Sequence, residues 1–239
     1  MNFLDLTLPT PAENLALDEA LLDDAELRPN ASNVLRLWEP SGPMVVAGRS
    51  TRVADEVWLD RCRELRIPVF RRTSGGATIV TGPGCLMYAV VIGYEEHPEL
   101  RQIDRAHEYV LSKLAAALGK LSSGIQLQGS SDLTLGGRKF SGNSLRIKRD
   151  HFLYHGTILY QFDLSLIEQL LRLPPRRPEY RADRPHDEFV ANFPASNGQL
   201  VGAIRAAFDA AQRIEKWPLD LTAQLAASRY SRDEWNLRL

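Results

Sequence analysis

Residues 71–84 read Arg-Arg-Thr-Ser-Gly-Gly-Ala-Thr-Ile-Val-Thr-Gly-Pro-Gly. The stretch lies between two apolar, strand-like runs, Ile67 to Phe70 and Leu86 to Ile92. Its Gly75-Gly76 doublet permits positive φ and lets a ligand approach bare backbone. Successive N–H groups in such a turn form a nest for an anion. Arg71 and Arg72 add fork-shaped cations suited to phosphate or carboxylate. The same residues also suit a plain strand-turn-strand with both arginines in water, because Gly-Gly turns are common. The rest of the chain has to decide between these readings.

The chain has 239 residues, 44% hydrophobic and 25% charged, which suits one large soluble domain with a sizeable core. A formal net charge of −1 gives no global field for nucleic acid, so none is expected as a partner. Of the 29 basic residues only five are lysines, which singles out a lysine that falls inside a motif. Cys62 and Cys85 make neither a disulfide framework nor a zinc spacing, and read as buried free thiols in a reducing compartment. The first residues lack the charged and apolar regions of a signal peptide, and no apolar run is long enough to span a bilayer. A cytoplasmic protein without a membrane partner is the expectation.

Outward from the opening stretch, the periodicities predict a mixed α+β fold. Thr10-Pro11-Ala12-Glu13 reads as a helix start, with the helix running to about Leu22. Val34 to Trp38 and Met44 to Ala47 read as strands, and Ala54 to Leu65 as one helix with Trp58, Cys62 and Leu65 on its inner face. Asp104 to Lys120 carries Val110, Leu114 and Leu118 on one stripe. Ile125 to Gln128 is a short strand. Leu133 to Leu135, Gly136-Gly137 and Arg138 to Ile147 spell a tight hairpin, followed by a strand at Phe152 to Tyr160. Asp163 reads as the cap of a further helix, Leu173 to His186 as an irregular Pro- and Arg-rich loop, and Gln199 to Ile214 as helical. A short helix near Leu221 to Ala227 precedes a tail containing Glu-Trp-Asn-Leu-Arg. Strands and helices do not alternate strictly, so the sheet is expected to be mixed and largely antiparallel with helices on its flanks.

The second motif is Ser-Ser-Asp-Leu-Thr-Leu-Gly-Gly-Arg-Lys-Phe-Ser-Gly-Asn-Ser-Leu-Arg-Ile-Lys, residues 130–148, followed by Tyr-His-Gly-Thr at 154–157. Alternation puts Lys139, Ser141 and Asn143 on one face of a strand. A strand lysine can keep a sheet edge soluble. It can also point into a cleft and stabilise charge that grows during acyl transfer. Arg71, Arg72, the Gly-Gly turn, Lys139, Asp132 and His155 together are rich in anion holders and poor in nucleophiles. No Gly-x-Ser-x-Gly, Gly-x-Gly-x-x-Gly, Walker A or His-Glu-x-x-His pattern is present.

The combination resembles the lipoate–protein ligase A family, within the wider group of biotin and lipoate ligases and octanoyltransferases. Asn-Leu-Ala-Leu-Asp-Glu at 14–19 resembles the family's first-helix signature, and residues 71–78 its lipoate-binding loop. Gly136 to Arg146 resembles the segment with its essential lysine, Tyr154 to Leu159 the following strand, and Arg184 to Phe193 the closing segment. The resemblance implies ATP- and Mg²⁺-dependent activation of lipoate to an acyl-adenylate, then transfer to a lysine of a lipoyl carrier domain, of the E2 or glycine-cleavage H type. It implies that Lys139 stabilises charge at the acyl carbonyl and phosphate without being acylated. Arg71, Arg72, Ser74, Gly75, Gly76, Ala77, His155 and Gly156 would line the substrate pocket. Asp132, Lys139, Arg146 and Thr157 would face the nucleotide, with Asp132 also a candidate metal ligand.

It further implies a single catalytic domain over residues 1–239, with a core at about 14–193, helices at 195–239 and no accessory domain; a separate accessory chain is then a possible partner. Ala77 stands where the family turn has a third glycine, so the local backbone is expected to differ, and Thr81 stands where the family commonly has histidine. Two alternatives stay open. One is octanoyl or lipoyl transfer from an acyl-carrier protein through a cysteine, for which Cys85 lies at the base of the opening loop. The other is a non-catalytic relative that binds lipoyl groups or adenylates.

Overall fold

The computed structural model describes residues 1–28, 31–175 and 177–238. Its strands, in chain order, are β1 (Asn2–Asp5), β2 (Val34–Trp38), β3 (Met44–Ala47), β4 (Val69–Arg71), β5 (Ile79–Thr81), β6 (Cys85–Gly93), β7 (Ile125–Gln128), β8 (Asp132–Leu135), β9 (Arg138–Ile147), β10 (His151–Leu159) and β11 (Gln212–Arg213). The helices are α1 (Pro11–Leu27), α2 (Val53–Glu56), α3 (Leu59–Glu64), α4 (Ile103–Leu118), α5 (Ser165–Leu170), α6 (His186–Phe189), α7 (Asn197–Ala207), α8 (Leu219–Leu225) and α9 (Asp233–Asn236), with a π-turn at Ala226–Tyr230 between the last two.

Eight strands form one sheet in the order β11-β1-β2-β6-β10-β9-β8-β7, and three form a second in the order β4-β3-β5. Pairing in the large sheet is antiparallel except at β11-β1 and β1-β2, so the expected mixed, largely antiparallel sheet is present. Long strands make its centre. β6 pairs with β10 from Cys85↔Leu159 through Gly93↔His151. Period-two alternation sends Tyr88, Val90, Ile92, Phe152, Tyr154 and Ile158 to one face. There they meet the Val110, Leu111, Leu114 and Leu118 stripe of α4 and Leu200 and Ile204 of α7. Each fully buried leucine of this kind contributes about 1.5–3 kcal/mol. Ala89, Val91 and Leu153 point the other way, onto Leu17, Leu21 and Leu22 of α1.

From Asn14 to Leu22 helix α1 is buried on every side, because the small sheet and α8 cover what the large sheet leaves open. Thr10 and Glu13 close its N-terminus as a reciprocal capping box, with Pro11 at the first helical position. It therefore carries Asn14, Asp18 and Glu19 into the interior, each exposed by less than a tenth. A buried carboxylate needs a partner, and those partners organise the site described below.

The sequence reading differs from the structure in identifiable places. α1 continues to Leu27. The predicted helix from Ala54 to Leu65 is two short helices, because Val57 bridges Leu171 and the Trp58 N–H donates to the Leu170 carbonyl. Only Cys62 of its expected inner face is buried; Trp58 and Leu65 are exposed. Asp163 accepts from the N–H and hydroxyl of Ser165, bending the chain before α5. Gly136 and Gly137 take φ of +58° and +74°, the tight turn the doublet predicts. Among the described residues no helix is long and apolar enough to cross a membrane. Arg176 of the predicted loop and Leu239 lie outside the described residues.

Candidate active site

The loop between β4 and β5 is built around two arginines with different tasks. Arg71 is fully buried and faces away from the cavities. Its guanidinium donates to the carbonyls of Gly48 (2.7 Å), Thr51 (2.9 Å), Trp235 (3.0 Å), Arg49 (3.2 Å) and Arg238. Burial, then the charge of Arg238, lowers its pKa. The expectation that Arg71 lines the substrate pocket is thus corrected: alternation along β4 turns it inward, and it lines neither of the cavities described below.

Arg72 reaches the cavity and folds the loop around itself. Nη2 donates to the carbonyls of Gly75 (2.6 Å) and Ala77 (2.9 Å), Nη1 to Val46 (3.1 Å) and Nε to Ser74 Oγ (3.1 Å). Burial pushes its pKa down to about 10, with the Glu56 carboxylate pulling the other way, so it stays cationic at neutral pH. Gly76 takes φ +88°, and a Cβ there would stand 2.9 Å from Arg72 Nη2. The left-handed residue is therefore Gly76. Ala77 is not among the residues of positive φ, so the alanine sits in this turn without left-handed strain. Thr81 is buried and donates to Met87 Sδ (3.2 Å).

Lys139 enters from the opposite wall, on β9. Its chain crosses the face of Gly142, where a Cβ would come within 2.8 Å of both Cε and Nζ. Nζ pairs with Asp132 Oδ1 at 2.7 Å, and Asp132 Oδ2 accepts from the Tyr180 hydroxyl at 2.6 Å. Burial and then the Asp132 charge raise the Tyr180 pKa, so the phenol keeps its proton. The edge-strand reading of Lys139 gives way to the cleft reading. β9 is covered at this residue, with an isolated bridge from Lys139 to Val190 and the Ala191 N–H on the Lys139 carbonyl.

His155 stands between these walls on β10. Its Nε2 meets Ser74 Oγ at 2.5 Å, and its Nδ1 faces Asp18 Oδ2 at 3.5 Å. Asp18 Oδ1 in turn accepts from Arg36 Nη1 at 2.5 Å, inside the protein. Burial opposes ionisation of Asp18, but the Arg36 charge and the His155 hydrogen bond outweigh it and hold the carboxyl below its usual range. Ser74 Oγ accepts from Arg72 Nε, and its hydroxyl shares a hydrogen bond with His155 Nε2 whose direction follows the imidazole tautomer. A continuous polar chain therefore runs from α1 through His155 to the arginine loop.

Two cavities meet at Lys139. One, of about 380 Å³, is lined by Leu15, Val46, Arg72, Gly76, Met87 and His155, among others, including Gly156. The other, of about 150 Å³, lies beneath Arg172, Pro174, Pro178 and Arg181 and is walled by Val80, Phe140, Leu159, Ile167 and Phe189. Ala77, Asp132, Lys139 and Thr157 line both. Three side chains that line the second cavity each carry a buried polar atom without a hydrogen-bond partner among the described residues: Thr78 Oγ1, Arg181 Nη2 and His186 Nε2. Burial, then the neighbouring Arg181 charge, lowers the His186 pKa, against a backbone hydrogen bond at Arg172. The ring is therefore neutral at pH 7 and offers its Nε2.

The structure thus gathers Arg72, Gly76, Ala77, Asp132, Lys139, His155, Gly156 and Thr157 on shared walls. Ser74 and Gly75 support the loop from behind through His155, Arg72 and Ser144. Arg146 lines neither cavity. Both oxygens of Asp132 are engaged, and among the described residues no group of three His, Cys, Asp or Glu side chains is placed to hold a metal. Both thiols are buried. Burial pushes Cys85 up to about 12 and raises Cys62, and neither lines the cavities at Lys139.

This geometry can be set beside known proteins. The family model of the lipoyl protein ligase A/B catalytic domain matches residues 10–202. The chain belongs to that family. A putative lipoate–protein ligase A from Aeropyrum pernix is 29% identical over 213 residues, covering 89% of this chain and 76% of the relative. A probable lipoate–protein ligase A from Mycoplasma pneumoniae is 26% identical over 163 residues, covering 68% of this chain and 46% of the relative, so the chain spans less than half of that protein's length. The octanoyltransferase LipM of Carboxydothermus hydrogenoformans is 27% identical, with 99% of this chain and 98% of the relative covered. Among solved structures, the bipartite lipoate protein ligase of Thermoplasma acidophilum, described with its E2 lipoyl domain, superposes with a TM-score of 0.84 at 21% identity, over 99% of this chain and 95% of the other. A lipoate–protein ligase A bound with ATP superposes at 0.82 and 22% identity, over 99% of each. These two likenesses establish the shared fold.

Sequence reasoning missed Asp18, Tyr180, Arg181 and His186. Asp18 had a signal, an acidic residue inside the apolar run Leu15 to Leu22, matched by Arg36 inside the apolar strand Val34 to Trp38. The other three sit in the Pro- and Arg-rich loop, where no period orders them.

Proposed function

We propose that this chain activates a lipoyl-type carboxylic acid with ATP and passes the acyl group to a lysine of a lipoyl carrier domain. The observation that carries this reading is the second cavity. An acyl chain alone would leave Thr78 Oγ1, Arg181 Nη2 and His186 Nε2 unpaired, whereas a heteroaromatic base satisfies them. Adenine presents an acceptor, N7, beside a donor, N6. Arg181 and the neutral His186 offer the complementary donor and acceptor. The larger cavity, with Leu15, Val46 and Met87, suits the acyl chain.

Lys139 stands where the two occupants meet. Its ammonium offsets charge as the carboxylate oxygen attacks the α-phosphorus and the bond to pyrophosphate breaks. It then faces the anhydride carbonyl while the carrier amine attacks, loses a proton and expels AMP. Holding both reactants in one cleft lowers the barrier without a protein nucleophile. Mg²⁺ is usually held by substrate phosphates and one or two carboxylates. Asp132, which lines both cavities, would supply one only by sharing an oxygen already engaged with Lys139 Nζ or the Tyr180 hydroxyl, and the ion would neutralise phosphate charge. A separate accessory chain is a candidate to close the cleft.

A second reading rests on the full-length match to octanoyltransferases of the LipM type. It requires an activated thiol, and the burial of Cys85 speaks against that. The test is to incubate the purified chain with ATP, lipoate and a lipoyl carrier domain, with and without a candidate accessory chain. AMP and lipoylated carrier are expected. Octanoyl transfer from an acyl-carrier protein without ATP, lost in Cys85→Ala, would overturn the proposal.

A further inference from the structure

We propose that the segment from Arg229 to Arg238 is a clamp that positions the loop after β4, with Trp235 and Asn236 as its positioning residues. β4 is the outer strand of the small sheet, so on its open side the polar backbone of Arg71 needs partners. α9 supplies them. The Arg71 N–H donates to Asn236 Oδ1 at 3.1 Å, and the Trp235 indole N–H donates to the Arg71 carbonyl at 2.9 Å. The Arg71 guanidinium completes the grip on the carbonyls of Trp235 and Arg238.

The clamp is itself anchored. Asn236 Nδ2 donates to the Tyr230 carbonyl at 2.9 Å, and the Tyr230 hydroxyl donates to Glu19 Oε2 at 2.7 Å. Glu19 also pairs with Arg229 and accepts from Thr73 Oγ1 at 3.2 Å. The loop is therefore held at residues 71 and 73 from one side. Tyr230 and Asn236 are buried, and the Trp235 ring lies under the guanidinium groups of Arg229 and Arg238.

None of residues 229–238 lines the two cavities at Lys139, and all lie beyond the stretch matched by the family model. Their influence passes through the backbone of Arg71 to Arg72, whose guanidinium fixes the carbonyls of Gly75 and Ala77. An ordinary packing helix would bury apolar area against β4. This one places two hydrogen bonds on a single residue, next to the arginine that shapes the cavity.

The test uses the full chain with Asn236→Leu, which loses both side-chain bonds, and Trp235→Phe, which keeps a ring and loses only the indole donor. Hydrogen exchange of ligand-free protein, followed by mass spectrometry, is the primary readout. Exchange in residues 70–78 is expected to rise about tenfold for a lost bond while β6 and β10 stay protected. The second readout rests on the proposed ligase reading. KM for the acid and for ATP rises in both variants, with a smaller change in kcat. Unchanged exchange at 70–78 in both variants would overturn the clamp. So would equal acceleration along the whole chain, which marks general loss of stability. If Asn236→Leu does not fold, Trp235→Phe decides. Local acceleration in a protein whose wild type forms no AMP would uphold the clamp and refute the ligase reading.

Discussion

The two banks of the Lys139 cleft are built in opposite ways. On one bank, residues 71–77 are tied from both sides: Arg71 to five carbonyls, Arg72 to three carbonyls and a serine. On the other, residues 177–190 leave Arg181 Nη2 and His186 Nε2 buried and unpaired beside Thr78 Oγ1. The first bank is complete without a ligand. The second is satisfied only when something polar enters. Preorganisation lowers the ordering cost of binding, and unpaired buried groups penalise any ligand that fails to pair them. The cleft thus joins a rigid half that shapes to a half that discriminates.

The largest effect should fall on the completed bank. Arg71→Met removes a buried guanidinium and strands five carbonyls, so urea unfolding should report a loss of about 3–5 kcal/mol. The equivalent change on the other bank, Arg181→Met, should leave ligand-free stability within about 1 kcal/mol, since its guanidinium makes one hydrogen bond, to the Arg184 carbonyl, and replacing a poorly paired buried charge by an apolar chain is often neutral. A similar loss in both variants would erase the contrast. Lys139→Ala, between the banks, should cut single-turnover carrier acylation about a hundred- to a thousandfold while unfolding changes far less than for Arg71→Met. Arg181→Met should then raise the KM for ATP about tenfold and narrow the preference for ATP over GTP. An unchanged nucleotide preference would remove the base from this bank.

A smaller effect concerns pH. His186 is held below its ordinary value of about 6.5 in the folded protein. The unfolded chain therefore binds its proton more readily. Its stabilising contribution is present above about pH 6.5 and is lost as pH falls through the lower folded value. The melting temperature should decline in mild acid, and less steeply in His186→Phe; identical slopes would mean that the histidine is solvated. The smallest effect is that of Cys85→Ala, which should leave AMP-dependent turnover unchanged.

Legibility in the sequence followed periodicity. The stripe Val110, Leu114 and Leu118 found α4, the capping residues Thr10 and Glu13 found the start of α1, and Gly136-Gly137 found the β8-β9 turn. Each is a local signal with a local cause. Lys139, Asp132, His155 and the glycine loop were legible as a set, and the fold does gather them. Arg71 was not separable from Arg72 by type or spacing, because the difference lies in which side of β4 each leaves. α9 and its grip on the loop were invisible, since Trp235 and Arg71 lie 164 residues apart. Helix α1 ran past its expected end because its last residues, Asp23, Asp24, Ala25, Glu26 and Leu27, break the apolar run on which the boundary was read while the backbone stays helical.

The arginine doublet sets a rule for length variation. Adjacent residues on a strand leave on opposite sides, so removing one residue from β4 would not merely shorten it. It would present Arg72 to the carbonyls of Gly48, Thr51 and Trp235, and leave a threonine to gather Gly75 and Ala77. Homologous chains should therefore gain or lose residues beyond Ala77 or before Pro68 more readily than between them. Random single-codon deletions selected for activity would map that boundary.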